Sequence, residues 1–411
     1  MLRRTAVVVA VAVTAMAMPV MAQATPGQEN VGPDLLPASR IAALPAPERA
    51  AWMAYVAESA RLHAIDTAAM NAELRSAKVT QMIKAPYKAP NFEYFDKNEA
   101  WFRSDSALLL ADAVLTFQTP SGGWSKRTDM TQPRAPGMSY YSETPDWHYM
   151  PTFDNGATTG QMRFFARVFA AHPDNRYAVA YHNGLALLFA AQQPNGCWPQ
   201  TFPLEGGYHD AITFNDDATV LVLTTLDEAA SGRVPFAYPG ERQRASASAR
   251  RGVACLVATQ VIVGGKRTVW GQQHDPLSLE VVPARTYEIV GLAGRESVPI
   301  MTYLMRLPSP DSHVVNAVHT AAAWFRAHAI SGYHYDGASG LRADANGAPI
   351  WARLTEMGTD RPIFANRDGI KLYDWNKLTD RRTGYGWFST EPAEALRTYD
   401  SWSLVHPARA P

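Results

Sequence analysis

Across most of the chain the apolar positions recur at steps of three and four, the spacing that lines one face of a helix, as in Val220, Leu221, Leu223 and Leu226. The same period predicts helices over Asp105 to Phe117, Thr158 to Ala171, Arg176 to Gln192, Asp216 to Ala230, Glu241 to Gln260, Val298 to Leu307 and Asp311 to His328. An earlier helix is expected over Pro47 to Ser76, where Trp52, Tyr55, Val56 and Leu62 keep that spacing. Residues 25–45, rich in Pro, Gly and Ala, read as a leader loop that need not pack, and Lys84 to Pro90 reads as a connector. Beyond about residue 330 the text turns to Gly, Asp, Asn, Tyr and Trp with short apolar runs, Pro362 to Phe364 and Lys371 to Tyr373. Loops and short β-strands are expected there, folded over the helices and walling one side of a cleft.

A loop phrase repeats between the helices. Gln-Thr-Pro-Ser-Gly-Gly-Trp at 118–124, Gln-Pro-Asn-Gly-Cys-Trp at 193–198, and the run from Gln260 through Gly264 and Gly265 to Trp270 place tryptophans 74 and 72 residues apart. That interval holds two helices and their connections, so the repeat unit is a helical hairpin that buries its apolar face on its neighbours. Three hairpins closing on themselves make a mainly α fold, an (α/α)3 toroid that delivers equivalent loops to one rim.

Composition adds little to this. The 411 residues are 47% hydrophobic and 18% charged, enough apolar mass for a core. With 38 basic and 38 acidic residues the formal net charge is zero, so no global field favours nucleic acid or an anionic membrane, and an acidic ligand must be met by a local cluster. The start does change the picture: Arg3 and Arg4, an Ala/Val run and Ala22-Gln23-Ala24 read as a signal peptide over residues 1–24. A secreted or periplasmic protein is therefore expected, with a leader and N-terminal helix over 25–84 and one catalytic domain over 85–411. Cys197 and Cys255 leave open either one bridge or two buried thiols.

Asp154, in Thr-Phe-Asp-Asn-Gly at 152–156, and Asp216 with Asp217, in Phe-Asn-Asp-Asp at 214–217, stand at helix starts beside the repeated loops. Helix capping is the plain reading of such residues. Carboxylates with amide oxygens on one rim also suit a hard cation such as calcium. Basic residues gather in the irregular part: Arg285, Arg353, Arg361, Arg367, Lys371, Arg381 and Arg382, with Lys126 and Arg127 after the first repeated Trp. As a set beside aspartates they suggest a polyanionic sugar, because guanidinium groups bind carboxylates bidentately. Trp124, Trp198, Trp270 and Trp387 lie in Gly-rich loops, where they either stack on sugar rings or pack beneath the loop. His274 reads as an orienting residue, since no second His stands at ligand spacing.

Taken in order, the phrases Gly-Gly-Trp-Ser-Lys at 122–126, Thr-Phe-Asp-Asn-Gly-Ala-Thr at 152–158, Ile-Thr-Phe-Asn-Asp-Asp at 212–217, Trp-Gly-Gln-Gln-His-Asp at 270–275, Pro-Ala-Arg-Thr-Tyr-Glu at 283–288 and Phe-Ala-Asn-Arg-Asp-Gly at 364–369 resemble the family-10 pectate lyases. The resemblance covers roughly residues 85–390. It implies calcium-dependent β-elimination of α-1,4-linked polygalacturonate to 4,5-unsaturated products. On it, Asp154 and Asp216 correspond to the calcium ligands and Arg285 to the base. Arg353 and Arg367 correspond to the arginines on the substrate carboxylate, and Lys126, Asn155, Trp124 and His274 are placed at the substrate. The expected partner is acidic pectic polysaccharide, met by a monomer without nucleic acid or membrane. Two other readings fit the residues: an inverting glycoside hydrolase using Asp154 with Asp216 or Asp217 as acid and base, and a sugar-binding protein without catalysis.

Overall fold

The computed structural model describes residues 32–88, 92–142, 151–337 and 340–408; the expected signal peptide lies outside them. Its helices are α1 (Ala38–Ala42), α2 (Ala46–Ala77), α3 (Glu99–Phe102), α4 (Asp105–Leu115), α5 (Thr159–Ala171), α6 (Asn175–Ala191), α7 (Ala218–Ala230), α8 (Pro239–Thr259), α9 (Ser297–Met305), α10 (Ser312–Ala327) and α11 (Glu391–Val405). Three antiparallel hairpins, α5 with α6, α7 with α8 and α9 with α10, form the (α/α)3 toroid. Helices α5, α7 and α9 follow one another as an inner row, and α8 meets α10 on the outside. Each inner helix buries the stripe that its period defines, such as Phe164, Phe165 and Val168 on α5 and Val222, Leu223 and Leu226 on α7.

The three repeated loops are held in the same way. Gln118 donates its amide N–H to the Gly122 carbonyl of its own loop and the Ala180 carbonyl of the next hairpin, at 2.7 and 2.8 Å. Gln192 does this for Gly196 and Ser248, and Gln260 for Thr268 and Ala317. Under each loop the indole N–H donates back to a helix carbonyl: Trp124 to Val114, Trp198 to Leu188 and Trp270 to Leu256. The loops press so closely on the neighbouring hairpin that a Cβ at Gly122 or Gly196 would lie 2.4 Å from the Asn183 or Arg251 carbonyl. Both glycines also carry positive φ, 112° and 99°, so only glycine fits. The repeating glutamine of the second loop is thus Gln192, one residue before the expected Gln193.

The expected helices are present with ends shifted by one or two residues. Two expectations need correction. Helix α11 falls where loops and strands were expected; Ala395, Tyr399 and Trp402 give it one buried face, and the Tyr399 hydroxyl bonds His319 Nδ1 of α10 at 2.8 Å. The leader stretch expected to stay unpacked instead buries Leu35, Leu36 and Ile41, because Leu36 and Ile41 find the main core. The irregular part supplies short two-stranded pairs around a second core centred on Phe364, Tyr385 and Trp387. Among the described residues no helix is long and apolar enough to cross a membrane.

Cys197 and Cys255 are bonded, which resolves the choice left open by sequence and ties the second rim loop to α8 across 58 residues. A bridge of that span stabilises the fold by about 2–4 kcal/mol, chiefly by restricting the unfolded chain. Replacing both cysteines by serine is expected to lower the urea midpoint accordingly without changing the far-ultraviolet dichroism of the native protein; an unchanged midpoint would refute the bridge.

Candidate active site

Local backbone places the acids. Asp154 and Asp216 each lie in a one-turn 3-10 segment ahead of an inner helix, and neither makes a side-chain capping bond, nor does Asp217 at the start of α7. The capping reading therefore fails. Asn155, Asp216 and Asp217 hold φ of 51°, 48° and 62°, a left-handed conformation that Asn and Asp tolerate better than other residues with a Cβ. Thr158, at φ 61°, is held there by exchanging hydrogen bonds with the Trp124 backbone, its Oγ1 accepting at 3.0 Å and donating at 3.1 Å.

The strands 212–213, 273–274 and 281–282 form one small antiparallel sheet, with Ile212 opposite His274 and Gln273 opposite Val282. It joins the second rim loop to the third and leads directly to Arg285. A second pairing, Leu354 opposite Ala293, brings Arg353 beside Glu296 at the head of α9.

Together these elements line a cleft with Lys126, Arg127, Arg285, Arg295, Arg353 and Arg381 against Asp154, Asp216 and Glu288. Six cations facing three anions make this the local positive cluster that a neutral chain needs to hold a polyanion. Gln200, Gln273, Asn155, Asn215, Tyr208 and Tyr385 complete the wall.

Within the cleft, Lys126 ion-pairs with Asp154 Oδ2 and reaches Asn155 Oδ1 at 3.4 Å. Burial pushes the Lys126 pKa down against the pull of Asp154. Burial also opposes ionisation of Asp154, but the adjacent ammonium outweighs it and holds the carboxyl below the usual range. Asp216 shifts the other way, raised by burial and then by the Asp154 charge. Asp154 Oδ1 is buried with no hydrogen-bond partner. Two crowded carboxylates, one with an unsatisfied buried oxygen, form a donor set that fits a hard divalent cation. No group of three or more His, Cys, Asp or Glu gathers among the described residues, so Asp154 and Asp216 could supply only part of a cation's oxygen shell.

Arg285 is clasped by Glu288: Nε donates to Oε2 at 2.9 Å and Nη2 to Oε1 at 2.5 Å. Burial favours its neutral form, yet Glu288 prevails and holds the guanidinium pKa well above its ordinary value. Tyr287 gathers three guanidinium groups, with the Arg381, Arg285 and Arg367 carbons 4.2, 4.9 and 5.8 Å from its ring centre.

The structure sorts the candidate residues. Lys126, Asn155, Asp154, Asp216, Arg285 and Arg353 share the cleft. Arg353 is buried and spends its donors inward, on Glu296 at 2.5 and 2.8 Å, Asn215 at 2.9 Å and the Tyr385 carbonyl at 2.5 Å, so it braces the rim from beneath. Arg367 is exposed and outside the cleft lining, with its guanidinium near the Tyr287 ring that also meets Arg285 and Arg381. Trp124 must be corrected: it is 0% exposed, with its indole committed beneath the loop, and cannot stack on a sugar. His274 must be corrected as well. Its Nε2 accepts from Gly271 N–H at 3.0 Å and Nδ1 donates to the Leu279 carbonyl at 2.8 Å, so the ring orients its loop and does not reach substrate. Burial lowers its pKa to about 4, keeping it in that neutral tautomer. Of the remaining basic residues, Arg361 and Arg382 stack on Tyr373 and Trp375, and Lys371 pairs with Glu356.

Sequence reasoning missed Arg295, Glu288, Glu296 and, apart from Asn155, the neutral wall, while Arg381, one of the basic set expected to meet a polyanionic sugar, does line the cleft. Glu288 stands three residues from Arg285 and carried a signal. Glu296 did not, since nothing in its spacing marks it as the partner of Arg353.

A family model described as pectic acid lyase matches residues 118–396. No curated protein matches the chain. Among solved structures, the family 10 polysaccharide lyase from Cellvibrio cellulosa is similar at 32% identity and a TM-score of 0.66, over 74% of this chain and 95% of that one. A mutant of that lyase in complex with trigalacturonic acid is similar at 31% identity and a TM-score of 0.65, over 75% and 96%.

The differing placement of the two arginines yields a stability contrast. Arg353→Ala strands the Glu296 charge in the interior and is expected to cost about 3–5 kcal/mol in urea unfolding. Arg367→Ala, at an exposed site, is expected to stay within ~0.5 kcal/mol. Equal effects would contradict the bracing role.

Proposed function

The chain belongs to the pectic acid lyase family, and from that premise we propose that it cleaves α-1,4-linked polygalacturonate by calcium-dependent β-elimination, releasing 4,5-unsaturated oligogalacturonates. The observation that carries this reading is the cation-rich cleft surrounding the Asp154 and Asp216 carboxylates. The relative solved with trigalacturonic acid supports the same acidic substrate here. Membership of a lyase family sets aside the glycoside hydrolase and the non-catalytic binder.

Elimination begins by removing the proton from C5 of a galacturonate, and the resulting charge spreads into the attached carboxylate. It then forms the C4–C5 double bond as the C4–O bond breaks and the leaving oxygen takes a proton from solvent. Preorganised cations around that carboxylate lower the barrier because they meet charge that develops only in the transition state. Arg381 and Lys126 supply such charge, and Arg353 holds the rim beneath them. Asp154 and Asp216 would hold calcium, which supplies a further fixed positive charge at the same carboxylate. Asn155 and Gln273 offer neutral hydrogen bonds to the sugar.

Arg285 is the base in this reading. Glu288 opposes that role by holding the guanidinium protonated. Its neutral fraction grows with pH, so the rate rises into the alkaline range. The bridged cysteines and the arginine-led apolar start support export to an oxidising compartment.

Arg285→Ala is expected to lower kcat by about 10²–10⁴ while retaining polymer binding; loss of binding with turnover intact would overturn the assignment. Glu288→Gln removes the charge that keeps Arg285 protonated, so the alkaline limb of kcat/KM is expected to move to lower pH. An unmoved limb would place the base elsewhere. Chelation is expected to abolish turnover and added calcium to restore it, with Asp154→Asn raising the calcium required.

A further inference from the structure

Helix α2 ends well before the residues matched by the family model begin, yet its buried stripe faces the catalytic rim. Trp52, Tyr55, Ser59, Leu62 and Asp66 are buried at alternating steps of three and four, the seam of a helix lying along a partner. Three polar side chains stand on this seam at intervals of seven, and each binds a different loop. Ser59 Oγ accepts from Leu204 N–H at 2.8 Å. Asp66 accepts from Ser121 N–H at 2.7 Å and from its hydroxyl at 2.6 Å. Glu73 accepts from Arg134 at 2.7 and 2.8 Å and from Gly137 N–H at 2.6 Å. Ahead of the helix, Arg40 forms a bidentate pair with Asp275 at 2.8 and 2.9 Å.

These partners are not scattered. Ser121 lies in the loop that leads to Lys126, Leu204 stands four residues after Gln200 in the second rim loop, and Asp275 two residues after Gln273 in the third. A helix stabilised by burial alone would use apolar residues along the seam, because a buried carboxylate or hydroxyl contributes little unless its partner is fixed. Here Asp66 and Ser59 on the seam take backbone N–H groups of the first and second loops that carry cleft residues, and Arg40, ahead of the helix, takes the Asp275 carboxylate of the third.

We infer that α2 together with Arg40 is a strap that holds all three rim loops in catalytic register, with Ser59, Asp66 and Arg40 as positioning residues. The inference rests on the pectate lyase reading for its kinetic consequence, and on the structure alone for the ordering of the loops. Displacements of about 1 Å in a positioned group lower rates by up to about a hundredfold, so a strap need not touch substrate to matter.

The test uses the full chain with Asp66→Ala, Asp66→Asn and Arg40→Met. On polygalacturonate, Asp66→Ala is expected to lower kcat about tenfold or more with KM little changed, whereas Asp66→Asn, which still accepts from Ser121, restores most of kcat. Amide hydrogen exchange is expected to quicken in 119–128 for Asp66→Ala and in 271–279 for Arg40→Met, with the hairpin helices unchanged. Arg40 is partly exposed, so its variant reads the effect even where Asp66→Ala fails to fold. Unchanged loop exchange, or destabilisation spread over the whole protein with kcat retained, would overturn the inference. A native chain that does not cleave polygalacturonate would overturn the functional reading instead, leaving the exchange result to decide the strap.

Discussion

The buried glutamine amide that reaches from each rim loop into the next hairpin is the contact on which the rest of the molecule depends. Gln118, Gln192 and Gln260 each donate to a carbonyl of their own loop and to one in the middle of a neighbouring helix, so that one side chain ties loop to hairpin, three times over. Helix ends leave carbonyl groups without partners, and burying them unpaired is unfavourable. The tryptophan under each loop fills the space that this closure creates, and its indole N–H meets such a carbonyl in the last turn of α4, α6 or α8. Adjacent hairpins are thereby fixed in angle, and the loops carrying cleft residues arrive at one rim.

On that rim the decisive feature is imbalance of charge. Burial opposes ionisation of both aspartates, the Lys126 ammonium outweighs it at Asp154 but not at Asp216, and the arginines outnumber them. Several arginines are already spoken for by protein partners: Glu296 and Asn215 take Arg353, and Glu288 takes Arg285. Such inward pairing keeps guanidinium groups still before substrate arrives, at the expense of the very deprotonation that a base requires. Tyr287 reinforces the arrangement by gathering Arg285, Arg367 and Arg381 around one ring.

Much of this was legible in the sequence, for identifiable reasons. Hairpin helices follow from a period of apolar residues that no strand can satisfy, and the spacing of Trp124, Trp198 and Trp270 gave the repeat. The cluster of Asp154, Asp216 and Arg285 followed from motif order and resemblance, and they do share one cleft. What could not be read was the direction in which a side chain points. A tryptophan in a glycine-rich loop has the same local sequence whether it stacks on a sugar or packs beneath the loop, and here Trp124 packs. His274 likewise carries no mark that both of its nitrogens are used within its own turn. Helix α11 was obscured by the irregular text before it, and the pairing of Arg353 with Glu296 is made only by distant strands.

The chemistry of the cut is the central claim, and the products report it directly. Mass spectrometry of oligogalacturonates released from polygalacturonate in the presence of calcium separates elimination, which leaves a 4,5-double bond and adds no water, from hydrolysis, which adds one water per cut. The account predicts unsaturated fragments alone. Saturated fragments carrying the added water would contradict it.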